Sequence, residues 1–346
     1  MYIKTMIVEN KNKYICIWLL LITFLVGLMI LVGGLTRLTD SGLSITKWDL
    51  FQGILPPLTS FEWNNTFNLY KKIPEFQIVN QYMTLEEFKV IFWWEYTHRL
   101  LGRIIGLFYL LPLIFFTFKR SITKKIIVNL YFIFFLICIQ GFLGWYMVRS
   151  GLVDRVDVSQ YRLSLHLTLA FVILFFLFWN FLKFSNYNDY KGEKIPFNLS
   201  SIFFLFIILQ ISIGAFVSGL DAGKIYQTWP LMNNNYFPDD SSIYKLFSVQ
   251  ALETPSLVQF IHRNIAYVIF FIFLLIFFII LKNDKHSHLR KTAIYIFAFL
   301  LFQIFLGILT VLSGANIVLA SLHQLGSILL SLSAIILVYK NLKTVS

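Results

Sequence analysis

Eight separate stretches of this chain stay apolar for about 20 residues each, the length an α-helix needs to cross the hydrocarbon core of a bilayer. They cover residues 15–35, 96–118, 126–148, 163–182, 199–220, 257–281, 292–312 and 317–339. Of 346 residues, 58% are hydrophobic and only 13% charged. A water-soluble domain cannot hide that much apolar surface. The fold class to expect is therefore all-α, an integral membrane protein of eight transmembrane helices.

The net charge of +12 does not argue for a nucleic-acid partner, because its position explains it. The N-terminus, the short loops near residues 119–125, 183–194 and 282–291, and the C-terminal tail hold more than half of the Lys and Arg. Short basic loops face the cytoplasm. Both termini are then expected inside, with the long loops 36–95 and 221–256 outside. The first apolar run is too long for a signal-peptide core and reads as a retained span. Cys16 and Cys138 lie inside apolar runs, where free cysteine behaves as a small hydrophobe.

The chain resembles itself. His98 is followed by "QGFLGWYMV" from Gln140 and then by His166; His262 is followed by "QIFLGILTV" from Gln303 and then by His323. The first and fifth spans end alike, in "VGGLTRLTDSGLSITKW" and "FVSGLDAGKIYQTW", through Gly-rich turns that finish near Trp48 and Trp229. Four spans per half make this a parallel repeat of two similar four-helix bundles, residues 1–198 and 199–346. Four-helix bundles hold ligands between facing helices. Gln140 and Gln303, polar groups within spans, are expected to hydrogen-bond between helices.

Two of the six histidines, His286 and His288, fall in a charged loop and read as solvated. The other four open spans two, four, six and eight, all entered from the outer side, so their imidazoles should share one depth. Four residues after them, on the same helix face, stand Gly102, Ala170, Ala266 and Ser327. Small residues there leave room for a flat macrocycle, although they also promote plain helix contact. Two facing histidines in each of two bundles read as two haem sites. A lone Zn or Cu ion would want further ligands that the sequence does not supply.

Within "WEYTHRLLGR" a carboxylate sits beside one such histidine. Thr84 and Glu87 have capping-box spacing, so a helix should run from Leu85 through Phe118, with Glu95 three residues before His98 and on its face. The matching residue before His262 is Gln259. A carboxylate near a haem can move protons or steady positive charge, whereas an amide can only hydrogen-bond. Chemistry is thus expected in the first half and support in the second. The plainer alternative for Glu95 is an ion pair with Arg99. Arg99, Arg103 and Arg263, with Arg37 at the end of span one, could bind haem propionates or anchor at the interface.

The segments "FWWEYTHRLLGR", "QGFLGWYMVRSGL", "YRLSLHL", "FVSGLDAGKIYQTWPLM", "VQFIHRNIAY", "QIFLGILTVL" and "ASLHQLGSI" together resemble the haem A synthase family, in its alphaproteobacterial and mitochondrial form. The form with a cysteine pair in the outer loop is not matched. The resemblance implies an oxidoreductase that converts the C8 methyl of haem O into a formyl group, giving haem A for cytochrome oxidase. It implies substrate haem on His98 and His166, a haem B cofactor on His262 and His323, and Glu95 as the essential carboxylate. It places the chain in a bacterial inner membrane. Haem O synthase, oxidase assembly factors and an electron acceptor such as a quinone are the partners to expect. Read without it, the residues leave open a two-haem b-type electron carrier or a repeat-built transporter.

Overall fold

The computed structural model describes residues 2–47, 52–120, 122–185 and 190–345. Trp48 lies outside them. Ten α-helices are found among the described residues: α1 Tyr2–Leu38, α2 Ser60–Tyr70, α3 Pro74–Ile78, α4 Leu85–Phe118, α5 Lys124–Asp154, α6 Gln160–Phe184, α7 Leu199–Gly219, α8 Pro255–Lys282, α9 Ser287–Leu312 and α10 Ile317–Leu342. Eight of these (all but α2 and α3) carry stretches long and apolar enough to span a membrane. Large apolar side chains such as Phe24, Leu111, Phe135, Leu205, Phe271 and Ile294 are more than half exposed, as a lipid-facing surface requires. The chain is a multi-pass membrane protein.

The contacts divide it into two compact units. One holds residues 24–173, and the other residues 1–23 together with 174–346. In the second, α7 packs on α8, α8 on α9, α9 on α10 and α10 on α7. These four helices close a ring, as a four-helix bundle does. In the first, α4 packs on α5. Its α4 begins at Leu85 because Thr84 caps it: the Thr84 hydroxyl accepts from the Glu87 N–H, and the Glu87 carboxylate accepts from the Thr84 N–H at 2.8 Å.

The first outer segment contains two helices that the apolar pattern did not reveal. Helix α2 starts at a second capping box, Thr59 with Glu62. Its Phe67 and Tyr70 stack near Phe88 of α4, at centroid distances of 5.0 and 5.1 Å. Tyr70 and Phe88 are fully buried, so this segment is fastened to the extended start of α4 by an aromatic cluster.

Helices α1 and α7 end in similar turns, but the left-handed residues are Asp40 (φ +48°) and Asp221 (φ +50°), not the neighbouring glycines. Short polar side chains tolerate that conformation better than most. The loop histidines also depart from expectation. His286 is 3% exposed and its Nδ1 pairs with the Glu193 carbonyl at 2.9 Å. His288 stacks on Tyr190 and meets the Thr344 hydroxyl at 2.8 Å. A short parallel bridge between residues 190–191 and 344–345 brings that strip together, which no local pattern signals.

Candidate functional site

The four helix-opening histidines share one local geometry. Each imidazole lies against a glycine on another helix. A Cβ built on Gly33 would lie 3.3 Å from the His98 ring, on Gly144 3.1 Å from His166, on Gly214 3.1 Å from His262, and on Gly307 3.0 Å from His323. A side chain at any of these glycines would crowd the ring, so the glycines set where each imidazole can stand.

Glutamines tie the same helices. Gln140 donates its side-chain N–H to the His166 carbonyl at 3.0 Å and Gln303 to the His323 carbonyl at 2.9 Å, the inter-helix bonds expected of them. Gln210, which the sequence reading passed over, does the same to the His262 carbonyl at 3.0 Å. The signal was present: Gln140, Gln210 and Gln303 each precede their glycine in a Gln-x-x-x-Gly pattern.

His98 and His166 face one another edge to face, with ring centroids 6.5 Å apart. That spacing suits one iron between two imidazoles, since a metal–nitrogen bond is roughly 2 Å and a ring nitrogen lies roughly 1 Å from its centroid. In the other unit the Gln210 and Gln303 amides also reach Nε2 of His262 and His323, at 3.2 and 3.4 Å. In His166, His262 and His323 a buried ring nitrogen has no hydrogen-bond partner, which is costly unless something else satisfies it. Among the described residues no three His, Cys, Asp or Glu side chains converge as they would around a bare ion. Two imidazoles suffice for a haem, whose macrocycle supplies the other ligands. The residues present fit that group.

Glu95 is 2% exposed and surrounded by donors. The Ser44 hydroxyl and the Ile45 N–H both donate to Oε2 at 2.7 Å. Arg99 donates to Oε1 through Nε at 3.0 Å and Nη2 at 2.5 Å. The ion pair with Arg99 therefore exists, but it is buried rather than at a wet helix end. The Arg99 Nη2 also reaches the Ile45 carbonyl at 2.9 Å, so α4 is strapped to the segment that follows α1.

The second strap has the same plan with different chemistry. Gln259 donates to the Tyr226 carbonyl at 3.0 Å, and Arg263 to the carbonyls of Tyr226 and Leu231 at 3.0 and 3.3 Å. Where Glu95 accepts from the backbone, Gln259 donates to it. Arg37 pairs with Asp40 at 2.5 Å and lies 4.0 Å from Asp157, while Arg103 follows Arg99 by one turn of α4. A cavity of about 220 Å³ is lined by two partners of Glu95, Ile45 and Arg99, together with Thr46, Trp145, Val148, Arg149 and Leu152. Arg149, over the Trp145 ring at 5.5 Å, is a second cation at this cavity that the motifs did not single out.

Comparison with known proteins gives the family. A family model described as "Cytochrome oxidase assembly protein" matches residues 16–335. A Heme A synthase of Pelagibacter ubique (strain HTCC1062) is 51% identical over 334 residues, 96% of this chain and 98% of its own. One from Rickettsia felis is 42% identical over 340 residues, covering 96% and 99%. Another from Rhizobium etli is 41% identical over 322 residues, covering 92% and 88%. The chain belongs to the haem A synthase family of cytochrome oxidase assembly proteins.

Proposed function

We propose that this protein is an oxidoreductase that converts the C8 methyl of haem O to a formyl group, making haem A for cytochrome oxidase, in a bacterial inner membrane with both termini cytoplasmic. The single observation that carries the reading is the buried Glu95, fixed by Ser44, Ile45 and Arg99 three residues before a histidine that faces a second histidine at 6.5 Å.

Substrate haem O would bind between His98 and His166, in a half spanning residues 1–198. His262 and His323, in a half spanning 199–346, would hold haem B. Matching turns at Asp40 and Asp221 and matching glycine–histidine contacts support a parallel repeat of the two halves. Haem B supplies a redox-active iron that can take up and pass on electrons. The residues of the chain do the rest. His98 and His166 would hold the substrate haem between α4 and α6. Arg99 and Arg149 flank a cavity suited to its propionates, with Arg37 and Arg103 as further candidates near the first site and Arg263 near the second. Glu95, in a low-dielectric setting, can steady positive charge as the methyl is oxidised, or take up a proton relayed by the Ser44 hydroxyl, which gives its own proton to Oε2 and receives another at Oγ. Gln259 holds its strap and cannot do this. Water supplies the formyl oxygen, its protons leaving to solvent, an electron acceptor such as a quinone takes the electrons removed from the methyl carbon, and haem O synthase and oxidase assembly factors are the expected neighbours.

The test is the pigment. Protein purified from cells that make haem O is extracted without strong acid, and its haems are separated with mass detection. Haem B together with haem O, haem A or an oxidised intermediate is expected. A Glu95→Gln variant should keep its haems and make no haem A. Haem B alone in the wild-type protein would point to an electron carrier instead, and normal turnover by the variant would remove Glu95 from the chemistry.

A further inference from the structure

The two outer straps share a plan, and so do the four glycine–histidine contacts, but one inter-helix tie is replaced. Gln140, Gln210 and Gln303 stand four residues before Gly144, Gly214 and Gly307, and each donates to the backbone carbonyl of the histidine that its glycine faces, at 3.0, 3.0 and 2.9 Å. The residue four before Gly33 is Met29. A thioether has no N–H to give. Met29 instead reaches toward the next turn of α4, where its Cε would lie 3.3 Å from a Cβ on Gly102. Four residues after their histidines the other three helices carry Ala170, Ala266 and Ser327, and only α4 has a glycine at that position. Met29 and Gly102 form a matched pair that takes the place of a glutamine tie.

The consequence is mechanical. A hydrogen bond from Gln to the histidine's own carbonyl pins that stretch of backbone to the neighbouring helix. Methionine is flexible and adapts its packing when a neighbour moves. Resting on the assignment of substrate haem to His98 and His166, we propose that Met29 makes His98 the yielding ligand of the exchanging haem, while the glutamine ties at His166, His262 and His323 hold those three ligands in place. Met29 is then a positioning residue that separates a site which must release its product from a site which must keep its cofactor. Both ligands are tied at the retained haem, and one of two at the exchanged haem.

The experiment measures haem exchange rather than turnover. Purified holoprotein in detergent is mixed with excess apomyoglobin, loss of haem is followed by absorption, and the haems left behind are extracted and identified. In the wild-type protein, haem O and haem A should leave while haem B stays. In Met29→Gln the departure of haem O and haem A should slow by about three- to tenfold, the range that one inter-helix hydrogen bond supplies, with haem B unaffected. A second variant, Gln210→Met with Ala266→Gly, installs the Met–Gly pair beside His262 and should speed the loss of haem B by a similar factor. It decides the matter if Met29→Gln does not fold. Exchange rates that ignore both pairs would overturn the proposal. A wild-type protein holding only haem B would instead overturn the functional reading on which it rests.

Discussion

The Ser44 hydroxyl donates to Glu95 Oε2 at 2.7 Å, across a buried boundary between the segment after α1 and the face of α4 that carries His98. The Ile45 N–H meets the same oxygen at 2.7 Å, so two consecutive residues aim one carboxylate. Removing either donor should change how Glu95 is presented without touching an imidazole.

Ser44→Ala tests this. A hydrogen bond to a charged group is worth about 1.5–3 kcal/mol, and the bonds from Ile45 and Arg99 remain. Formation of haem A should fall roughly tenfold or more, with the amount and spectrum of bound haem unchanged. A wild-type rate would mean that the orientation of Glu95 is not limiting.

Gly144→Ala and Gly307→Ala should act on different haems. Their new Cβ atoms would meet His166 Cε1 at 3.1 Å and His323 Cε1 at 3.0 Å, close enough that the ring must give way. Overpacking of this kind costs about 1–3 kcal/mol. Pigment extraction should show substrate-type haem depleted in the first variant and haem B in the second. Loss of both haems from both variants would contradict the separate assignment.

Glu75 of α3 should make stability depend on pH. It is 5% exposed and its Oε2 has no hydrogen-bond partner. Burial pushes its carboxyl up to about 8, helped by the charges of Glu95, Asp157 and Asp40 and opposed by Arg37. Between the ordinary value of 4.5 and about 8 the folded chain holds a proton that the unfolded chain has lost. Stability is therefore full below that window and declines as pH rises through it. Melting followed by tryptophan fluorescence should show the wild type losing more between pH 6 and pH 9 than Glu75→Gln, within the range set by the quoted value. Parallel curves would refute it.

Asn341→Ala should separate fold from function. The Asn341 Oδ1 accepts from the Ile195 N–H at 2.7 Å, and its Nδ2 donates to Ser200 Oγ at 2.9 Å. Truncation strands a buried backbone donor at a cost of about 1–3 kcal/mol. Thermal stability should drop while the haem spectrum is retained. A changed spectrum with unchanged stability would be the opposite result.

Much of the site was legible before any coordinates. Apolar length alone located the spanning helices, because nothing but a helix satisfies its own backbone in lipid, and the capping pair Thr84–Glu87 placed the start of α4. Thr59–Glu62 carries the same signature, yet α2 was missed because its amphipathic pattern is weak and its stability comes from stacking on Phe88. His286 looked solvated because its neighbours in sequence are charged. It is buried, and the partner of its Nδ1 is the carbonyl of Glu193, distant in sequence.

What the sequence determined by itself was local and periodic: eight spans, four histidines at helix openings, Glu95 on the face of His98, and three Gln-x-x-x-Gly stretches. These follow from spacing along a helix, which numbering alone fixes. Which glycine meets which imidazole, that Gln210 reaches the His262 carbonyl, that Ser44 and Ile45 enclose Glu95, and that Met29 lies against Gly102 were decided only by tertiary structure. Such contacts join residues on different elements, and their geometry depends on how each helix is rotated against the next, which no one-dimensional pattern carries.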